Sequence, residues 1–389
     1  MRGKGMADFK LSIWSGVALG AMLLASCRPL PVLPDDNTAH HVLYSIDWWA
    51  PLVKPEALEY LPREMASPAA DLELPPGQTE VITATRDHMV RGISPLGKLD
   101  WTFETRGHFV AGPTLRDGVA YVAGGDGTLY ALDARTGKLK WQYDSGEELL
   151  TSPVLDEQTV LVATENDALL AVERQSGKLR WRYHRDLHGA AGFSIYGAAD
   201  PLIHQGTIYI GFSDGSLVAL KQSDGTVKWE RFLTTEGKQF LDVDTTPIID
   251  ASGRLYAASY KDGLYALDAE TGAIKWHTTK AGITGLALRR SLLFSSGDQM
   301  LGAYLSDSGK QVWSLDLGSR ASRRLLIAKG LVIAPTSAAL LFVDPANGRT
   351  LSSWNPGKGV TAVPFWAQGR LYVLSNLGYL YALRLHGGR

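Results

Sequence analysis

The chain has 389 residues, in which 39 lysines and arginines nearly balance 40 aspartates and glutamates. This balance leaves no basic field to hold nucleic acid, so nucleic acid is not an expected partner. A single cysteine excludes a disulfide within the chain. The compositional excess is in tryptophan, of which there are 11.

The N-terminal segment has the three regions of a secretory signal. Three basic residues precede the apolar run 11–24, and small residues follow it. The run is shorter than the roughly 20 residues of a membrane-spanning helix. Leu24-Ala25-Ser26-Cys27 resembles the lipobox of bacterial lipoproteins, which implies cleavage before Cys27 and three acyl chains on that residue. We predict a lipoprotein signal peptide over 1–26; an incidental cysteine in an ordinary signal is the alternative.

Residues 27–42 predict a lipidated tether between the membrane and a folded domain. The segment contains three prolines and shows no apolar period, which is typical of an extended linker. Arg28 follows the cysteine, whereas an aspartate there is the usual inner-membrane retention signal in enteric-type sorting. The sequence therefore predicts a lipid anchor in the outer membrane, with residues 43–389 folded on the periplasmic side.

Tryptophans recur through the folded part at intervals of about 40 residues, a period typical of solenoids and propellers. Between them, segments such as 119–141, 207–229 and 253–276 read as three strands separated by two glycine turns. A further short strand, often marked by proline, precedes each segment. Four antiparallel strands make one propeller blade. The recurring residues are Trp101, Trp141, Trp181, Trp229, Trp276, Trp313 and Trp354.

The ends of the repeat predict how the ring closes. The hairpin 369–385 lacks a tryptophan strand, and residues 43–50 supply one, with Trp48 or Trp49 in the tryptophan position. Closure removes open sheet edges. We expect residues 65–71 to contain the inner strand of the first blade. The predicted fold is an all-β, eight-bladed propeller of four-stranded antiparallel blades, closed by an N-terminal strand.

Most apparent motifs have structural explanations. The repeated tryptophans are expected to pack between blades, and the aspartate of each Ala-Leu-Asp-Ala run to cap its own turn. The segment 211–215 matches a serine-hydrolase pattern but falls on a hairpin turn. His184 and His188 are interpreted as loop residues rather than metal ligands. We expect Arg320, Arg323 and Arg324 to form a solvated turn.

The repeat resembles the PQQ-type propeller family, whose enzyme members are quinone-dependent dehydrogenases. Many alcohol dehydrogenases among them have a vicinal disulfide over the quinone and acidic ligands for Ca²⁺. Cys27 alone cannot form that disulfide. We therefore predict a protein that is not an enzyme and has no cofactor and no catalytic or metal site, with a quinone-dependent dehydrogenase as the alternative.

Two adjacent crossings between blades are long. They run from Trp181 to Pro201 and from Trp229 to Pro247, whereas other crossings are much shorter. Insertions in repeat proteins collect on the binding face. The long crossings hold apolar residues and carboxylates, a composition that suits either a protein interface or a cap on the propeller. The residues concerned are Phe193, Ile195 and Tyr196 in the first, and Phe232, Phe240, Leu241, Asp242, Val243 and Asp244 in the second.

The run 241–248, continued by 261–276, resembles the BamB family of outer-membrane β-barrel assembly lipoproteins. The resemblance extends to the lipobox, blade number, size, closing strand and long crossings. It implies that Asp242 and Asp244 bind the periplasmic POTRA region of the BamA insertase, together with Phe193, Ile195 and Tyr196. The family has an arginine where Tyr196 stands, and the segment 51–64 is longer than in the family.

The resulting hypothesis is a membrane-tethered scaffold for outer-membrane protein assembly. It works by binding a BamA-like insertase and other subunits of the assembly machine, and the propeller outside its complex is a monomer. A lipoprotein propeller that serves another envelope complex is the alternative within the same class.

Overall fold

The computed structural model describes residues 43–54, 63–71, 81–185, 199–233, 242–243, 245–321 and 324–386. Within these ranges the chain forms 32 strands, arranged as eight four-stranded antiparallel sheets. Each sheet is one blade, so the predicted eight-bladed propeller is confirmed. Across the same ranges, no helix has the length and apolar character needed to cross a membrane.

Blades 1 to 4 follow the chain from inner to outer strand. Their strands are β2 Ala69–Ala70, β3 Val81–Thr85, β4 Met89–Ile93 and β5 Leu99–Glu104; β6 Thr114–Arg116, β7 Val119–Ala123, β8 Thr128–Asp133 and β9 Leu139–Asp144; β10 Val154–Leu155, β11 Thr159–Ala163, β12 Ala168–Glu173 and β13 Leu179–His184; and β14 Leu202–His204, β15 Thr207–Gly211, β16 Ser216–Lys221 and β17 Val227–Phe232. The inner strand β2 lies inside the predicted range 65–71.

Blades 5 to 8 continue in the same order. Their strands are β18 Ile248–Ile249, β19 Arg254–Ser259, β20 Gly263–Asp268 and β21 Ile274–Thr278; β22 Gly285–Arg289, β23 Leu292–Gly297, β24 Met300–Leu305 and β25 Gln311–Asp316; β26 Leu326–Ala328, β27 Leu331–Pro335, β28 Leu340–Val343 and β29 Thr350–Trp354; and β30 Phe365–Ala367, β31 Arg370–Leu374, β32 Tyr379–Leu385 and β1 Tyr44–Pro51.

The apolar core is divided into layers between neighbouring blades. One layer, for example, joins Tyr121 and Leu129 of blade 2 to Val160 and Leu170 of blade 3. The two middle strands of a blade are buried on both faces, which is why they read as continuous apolar runs. Outer strands alternate between exposed and half-buried residues, since only one face meets a neighbour. Burial between blades therefore holds the ring together.

Trp48 and six of the seven repeated tryptophans bind their blade to the next one, whereas Trp354 packs against Tyr44 and Tyr381, since blade 8 takes β1 as its outer strand and has no third turn. In each of the other seven, the indole N–H donates a hydrogen bond of 2.8–3.2 Å to a carbonyl in the third turn of the next blade. A turn glycine with positive φ lies against the indole face, where an added Cβ would come within 2.4–2.8 Å of the ring. The predicted packing role is confirmed. The donor and acceptor pairs are Trp48 with Pro95, Trp101 with Ala134, Trp141 with Arg174, Trp181 with Gln222, Trp229 with Ala269, Trp276 with Ser306 and Trp313 with Pro345.

Gly177→Ala tests this fastening. Its φ of +70° disfavours any side chain, and the new Cβ would lie 2.7 Å from the Trp141 ring. Gly206→Ala is the matched control, because Gly206 has φ +74° with nothing within 4 Å. We expect the control to lose about 1 kcal/mol of unfolding free energy and Gly177→Ala a further 1–3 kcal/mol or so from overpacking. Urea denaturation measures both; equal losses would contradict a steric role for the indole contact.

Closure of the ring depends on β1. This strand pairs antiparallel with β32, from Tyr44 opposite Leu385 to Pro51 opposite Tyr379, with an irregularity between Ile46 and Trp48. Of the two candidate tryptophans, Trp48 takes the fastening position through its bond to Pro95 O, 2.9 Å long. The inner strands β30 and β2 also lie side by side. The propeller is thus complete within residues 43–386.

The ring has two different faces. The loop face carries the crossings between blades and the second turn of every blade, such as 212–215 in blade 4. The turn face carries the first and third turns. As predicted, an aspartate caps several third turns: Asp133 Oδ1 accepts hydrogen bonds from the backbone N–H and hydroxyl of Thr136, and Asp268 does the same for Thr271. Both long crossings emerge on the loop face, on either side of blade 4.

Candidate functional site

The second turn of blade 4, Phe212–Gly215, holds both ends of the second long crossing. Where the crossing leaves, the backbone N–H of Leu233 donates to Gly215 O at 2.8 Å; where it returns, Val243 N–H donates to Phe212 O at 3.1 Å. Val243 is 1% exposed and packs against Gly211, whose added Cβ would overlap it. The returning chain is therefore part of the propeller wall.

Arg185 attaches the start of the first long crossing to the same turn. Its Nη2 lies 2.6 Å from Asp214 Oδ2 and 2.7 Å from Glu230 Oε1. The guanidinium carbon also lies 5.5 Å from the ring centre of Phe212 and 5.9 Å from that of Phe232, within cation–π range. One side chain thus couples the beginnings of both crossings.

The remaining donors of Arg185 are buried. Its Nε and Nη1 atoms have no hydrogen-bond partner among the residues that the structure describes. A buried donor without an acceptor is unfavourable, so these two atoms add to the cost of burying the guanidinium. Phe232 beside it leaves 53% of its surface exposed. The base of the two crossings therefore presents an aromatic surface next to a partly satisfied cation.

Two carboxylates lie close together beneath this surface. Asp167, with φ +56°, accepts hydrogen bonds from the backbone N–H of Ser213, at 3.3 Å, and from its hydroxyl. Asp242 is only 5% exposed. Burial raises the pKa of Asp242 to about 6, and the negative charge of Asp167 adds to the rise. Burial also raises the pKa of Asp167. The folded state is therefore less stable when Asp167 and Asp242 are ionised.

An ion pair spans the central channel near the same crossings. Arg324, just before the inner strand of blade 7, pairs with Asp200, just before the inner strand of blade 4. Arg324 Nη2 also donates to Thr246 Oγ1 of blade 5 at 3.1 Å, while the Ser152 backbone N–H donates to Asp200 at 3.2 Å. Of the three arginines expected in a solvated turn, Arg320 is exposed and Arg323 lies outside the described residues, whereas Arg324 is instead held by partners on other blades.

Metal chemistry finds no support in the described ranges. No group of three or more histidine, cysteine, aspartate or glutamate side chains in them is placed to hold a metal ion. His184 is the last residue of β13 rather than a loop residue, and His188 lies outside the described residues. The segment 211–215 is a hairpin turn, as predicted.

The family model described as outer membrane protein assembly factor BamB matches residues 86–315, more than half of the chain. This chain belongs to the BamB family. The matched range includes both long crossings and the turn that anchors them. Membership confirms the resemblance seen in the 241–248 run.

Curated BamB proteins match over a shorter range. The protein from Legionella pneumophila is 26% identical over 204 residues, which are 50% of this chain and 53% of the relative. That from Alkalilimnicola ehrlichii is 29% identical over 201 residues, 49% of this chain and 52% of the relative. The match thus spans about half the length of these BamB relatives.

Solved structures share the propeller. The crystal structure of BamB from Moraxella catarrhalis superposes with a TM-score of 0.73 at 22% identity, covering 88% of this chain and all of that one. A quinohemoprotein alcohol dehydrogenase from Comamonas testosteroni gives a TM-score of 0.70 at 16% identity, covering 89% and 77%. At these identities the similarity to BamB and to the dehydrogenase alike shows the fold alone.

Of the residues that the BamB resemblance implicates, the structure places one. Asp242 lies at the return of the second crossing, against the blade 4 turn. It was expected at the rim of an exposed patch and is instead buried, as is Val243; Phe232 is exposed, as an interface requires. Cys27, Phe193, Ile195, Tyr196 and Asp244 lie outside the described residues.

Sequence reasoning missed the residues that support the crossings. Arg185 stands one position after β13, where the first crossing begins, and Asp214 belongs to an ordinary Ser-Asp-Gly turn. The sequence feature that could have indicated Arg185 is a basic residue at the start of a long crossing. Nothing in the sequence pairs Arg324 with Asp200, since they lie in different blades.

Proposed function

We propose that this BamB-family chain is a lipid-anchored assembly factor for outer-membrane β-barrel proteins that acts by binding, without catalysis. Acyl chains on Cys27 hold it to the periplasmic face of the outer membrane. The loop face around blade 4 binds the POTRA region of a BamA-like insertase. Family membership over 86–315 supports the general role, and the propeller supplies a rigid platform for a partner.

The observation that carries the proposal is the burial of Asp242 at the base of the long crossings. Its raised pKa means that the fold is less stable with this carboxylate ionised. A costly charge kept at a surface loop is typical of a functional site. A partner that supplies a cation to Asp242 would offset the cost of its burial, since charge-assisted hydrogen bonds are among the stronger contacts at interfaces.

The surface next to Asp242 supports the same conclusion. Phe232 is exposed and lies over Arg185, so an apolar contact area adjoins both a cation and the two carboxylates. Exposed aromatic residues ringed by charge are typical of protein interfaces. Tyr196 replaces a family arginine, so we expect one charged contact fewer in this complex than in those of its relatives.

Replacing Asp242 and Asp244 together with alanine tests the interface. We expect the fold to be retained and recovery of the insertase in a tagged pull-down from membranes to fall at least about tenfold, since truncated interface hot spots each cost 2 kcal/mol or more. Mass spectrometry of the eluate measures the partners. The control replaces two exposed acidic residues on the turn face, Asp224 and Glu270, with alanine. Equal recovery with both variants would place the interface elsewhere.

A further inference from the structure

The turn face of blades 6 and 7 carries a concentration of cations. We call it the basic turn patch and define it as Arg289, Arg290, Lys310, Lys329 and Arg349. Arg290 and Lys329 are exposed in the first turns of the two blades, with φ +53° and +48°, the left-handed conformation of tight hairpin turns. The two turns adjoin, because a Cβ added to Gly330 would lie 3.9 Å from Arg289 Nη2.

The positive charge of the patch is only partly compensated by nearby carboxylates. None of its five cations forms an ion pair with another described residue, whereas some turn-face cations on other blades are paired, as in Arg174 with Asp117 and Lys275 with Asp268. Asp307 and Asp344 lie in the third turns of the same two blades, so two carboxylates stand against five cations. The patch therefore projects a field into solvent.

The chain enters the propeller beside this patch and on the same face. Tyr44, the first residue of β1, pairs with Leu385 at the turn-face end of blade 8 and stacks on Phe342 of blade 7, with ring centres 5.0 Å apart. Blade 8 adds Arg384, whose side chain is 57% exposed and shares Asp47 with Arg370. The point where the tether joins the propeller is therefore bordered by cations.

We propose that the basic turn patch binds the anionic headgroups of the membrane that carries the chain. Each lysine or arginine near an anionic lipid surface contributes about 1 kcal/mol. Five such residues alone make a weak contact. Residues 27–42 reach at most about 55 Å, so an anchored chain keeps the patch close to the membrane. The resulting high effective concentration strengthens the contact. Only the identity of this membrane rests on the proposed lipid anchor; the headgroup contact does not need it.

Such a contact orients the propeller. In a ring of eight blades, blade 4 lies opposite blade 8, and the loop face lies opposite the turn face. With the basic turn patch on the lipid surface, the crossings around blade 4 point away from the membrane. The proposed partner surface then remains open to the periplasm.

Vesicle co-sedimentation of residues 43–389, which include the complete ring but no lipid anchor, tests the contact. We expect binding to phosphatidylcholine vesicles with about 30% phosphatidylglycerol, little binding to pure phosphatidylcholine, and release by about 0.5 M NaCl. Arg290→Glu, Lys329→Glu and Arg349→Glu together should weaken binding at least tenfold. The control reverses three exposed turn-face cations on blades 2 and 3, by Arg135→Glu, Lys138→Glu and Lys178→Glu, and should change it less than twofold.

Either of two results would overturn the proposal: no binding of the unaltered chain to anionic vesicles, or equal losses in the two triple variants. A neutral version, with glutamine at Arg290, Lys329 and Arg349, guards against misfolding of the glutamate variant and should still weaken binding several-fold. Failure here is separate from failure of the proposed function. The patch variant should recover the insertase normally from detergent extracts, and Asp242→Ala with Asp244→Ala should bind vesicles normally.

Discussion

Replacing Cys27 with alanine is expected to abolish lipid attachment completely. The chain has one cysteine, so no other thiol can accept the diacylglycerol group. The three acyl chains proposed on Cys27 exceed the two signals that stable membrane anchoring requires, and nothing of comparable strength would replace them. The altered chain should either keep its signal peptide or be released as a folded propeller into the periplasm. Metabolic labelling with a palmitate analogue and the mass of the N-terminal peptide measure both effects.

Arg28→Asp is the matched control for Cys27→Ala. It alters the neighbouring residue and leaves the thiol intact, so lipid labelling should be unchanged. If sorting follows the enteric-type rule, the lipidated chain should move to the inner-membrane fraction of a density gradient. Persistence of lipid labelling in Cys27→Ala would refute the assignment of the anchor.

The fold could be predicted because its repeat is local. Every repeated tryptophan except Trp354 meets a glycine that the next blade places at the same position of its third turn, so one short pattern counts the blades. Trp48 and Trp49 could not be separated on that basis. The irregularity between Ile46 and Trp48 directs Trp48 to Pro95, and it leaves Trp49 40% exposed.

The candidate site was predicted less well because its contacts join distant parts of the chain. A run of carboxylates in a long crossing looks exposed, yet Asp242 is buried because Val243 next to it packs on Gly211 in blade 4. Arg185 reaches Asp214 and Glu230 in the next blade. Composition indicates that such residues lie near an interface. It does not indicate which of them are exposed to a partner and which are buried against the propeller.

Asp242→Asn should stabilise the isolated propeller and weaken partner binding at the same time. The pKa of Asp242 is about 6 in the fold, above the ordinary value of 3.8, because burial disfavours the charge. Its contribution to stability is therefore fully present below pH 4 or so and is lost as the pH rises through about 6. At pH 7.5 the uncharged asparagine avoids this loss, so we expect a gain of about 2 kcal/mol in unfolding free energy. The gain should nearly vanish at about pH 4, where Asp242 is itself protonated.

Asp214→Asn provides a control of opposite sign. Asp214 is an ion-pair partner of Arg185, so its neutralisation should lower the unfolding free energy, by about 1 kcal/mol because Glu230 remains as a second partner. Urea denaturation from pH 4 to pH 8 measures both variants, and pull-down of the insertase at pH 7.5 measures binding.

The outcome for Asp242→Asn separates a structural role of this carboxylate from a role in binding. If Asp242 served only the fold, removal of its charge would not stabilise the propeller. If Asp242→Asn destabilises the propeller at pH 7.5, the carboxylate is a structural element and the interface must rest on its neighbours. A stabilised propeller that no longer recovers its partner would show that the charge is retained for binding, at the expense of stability.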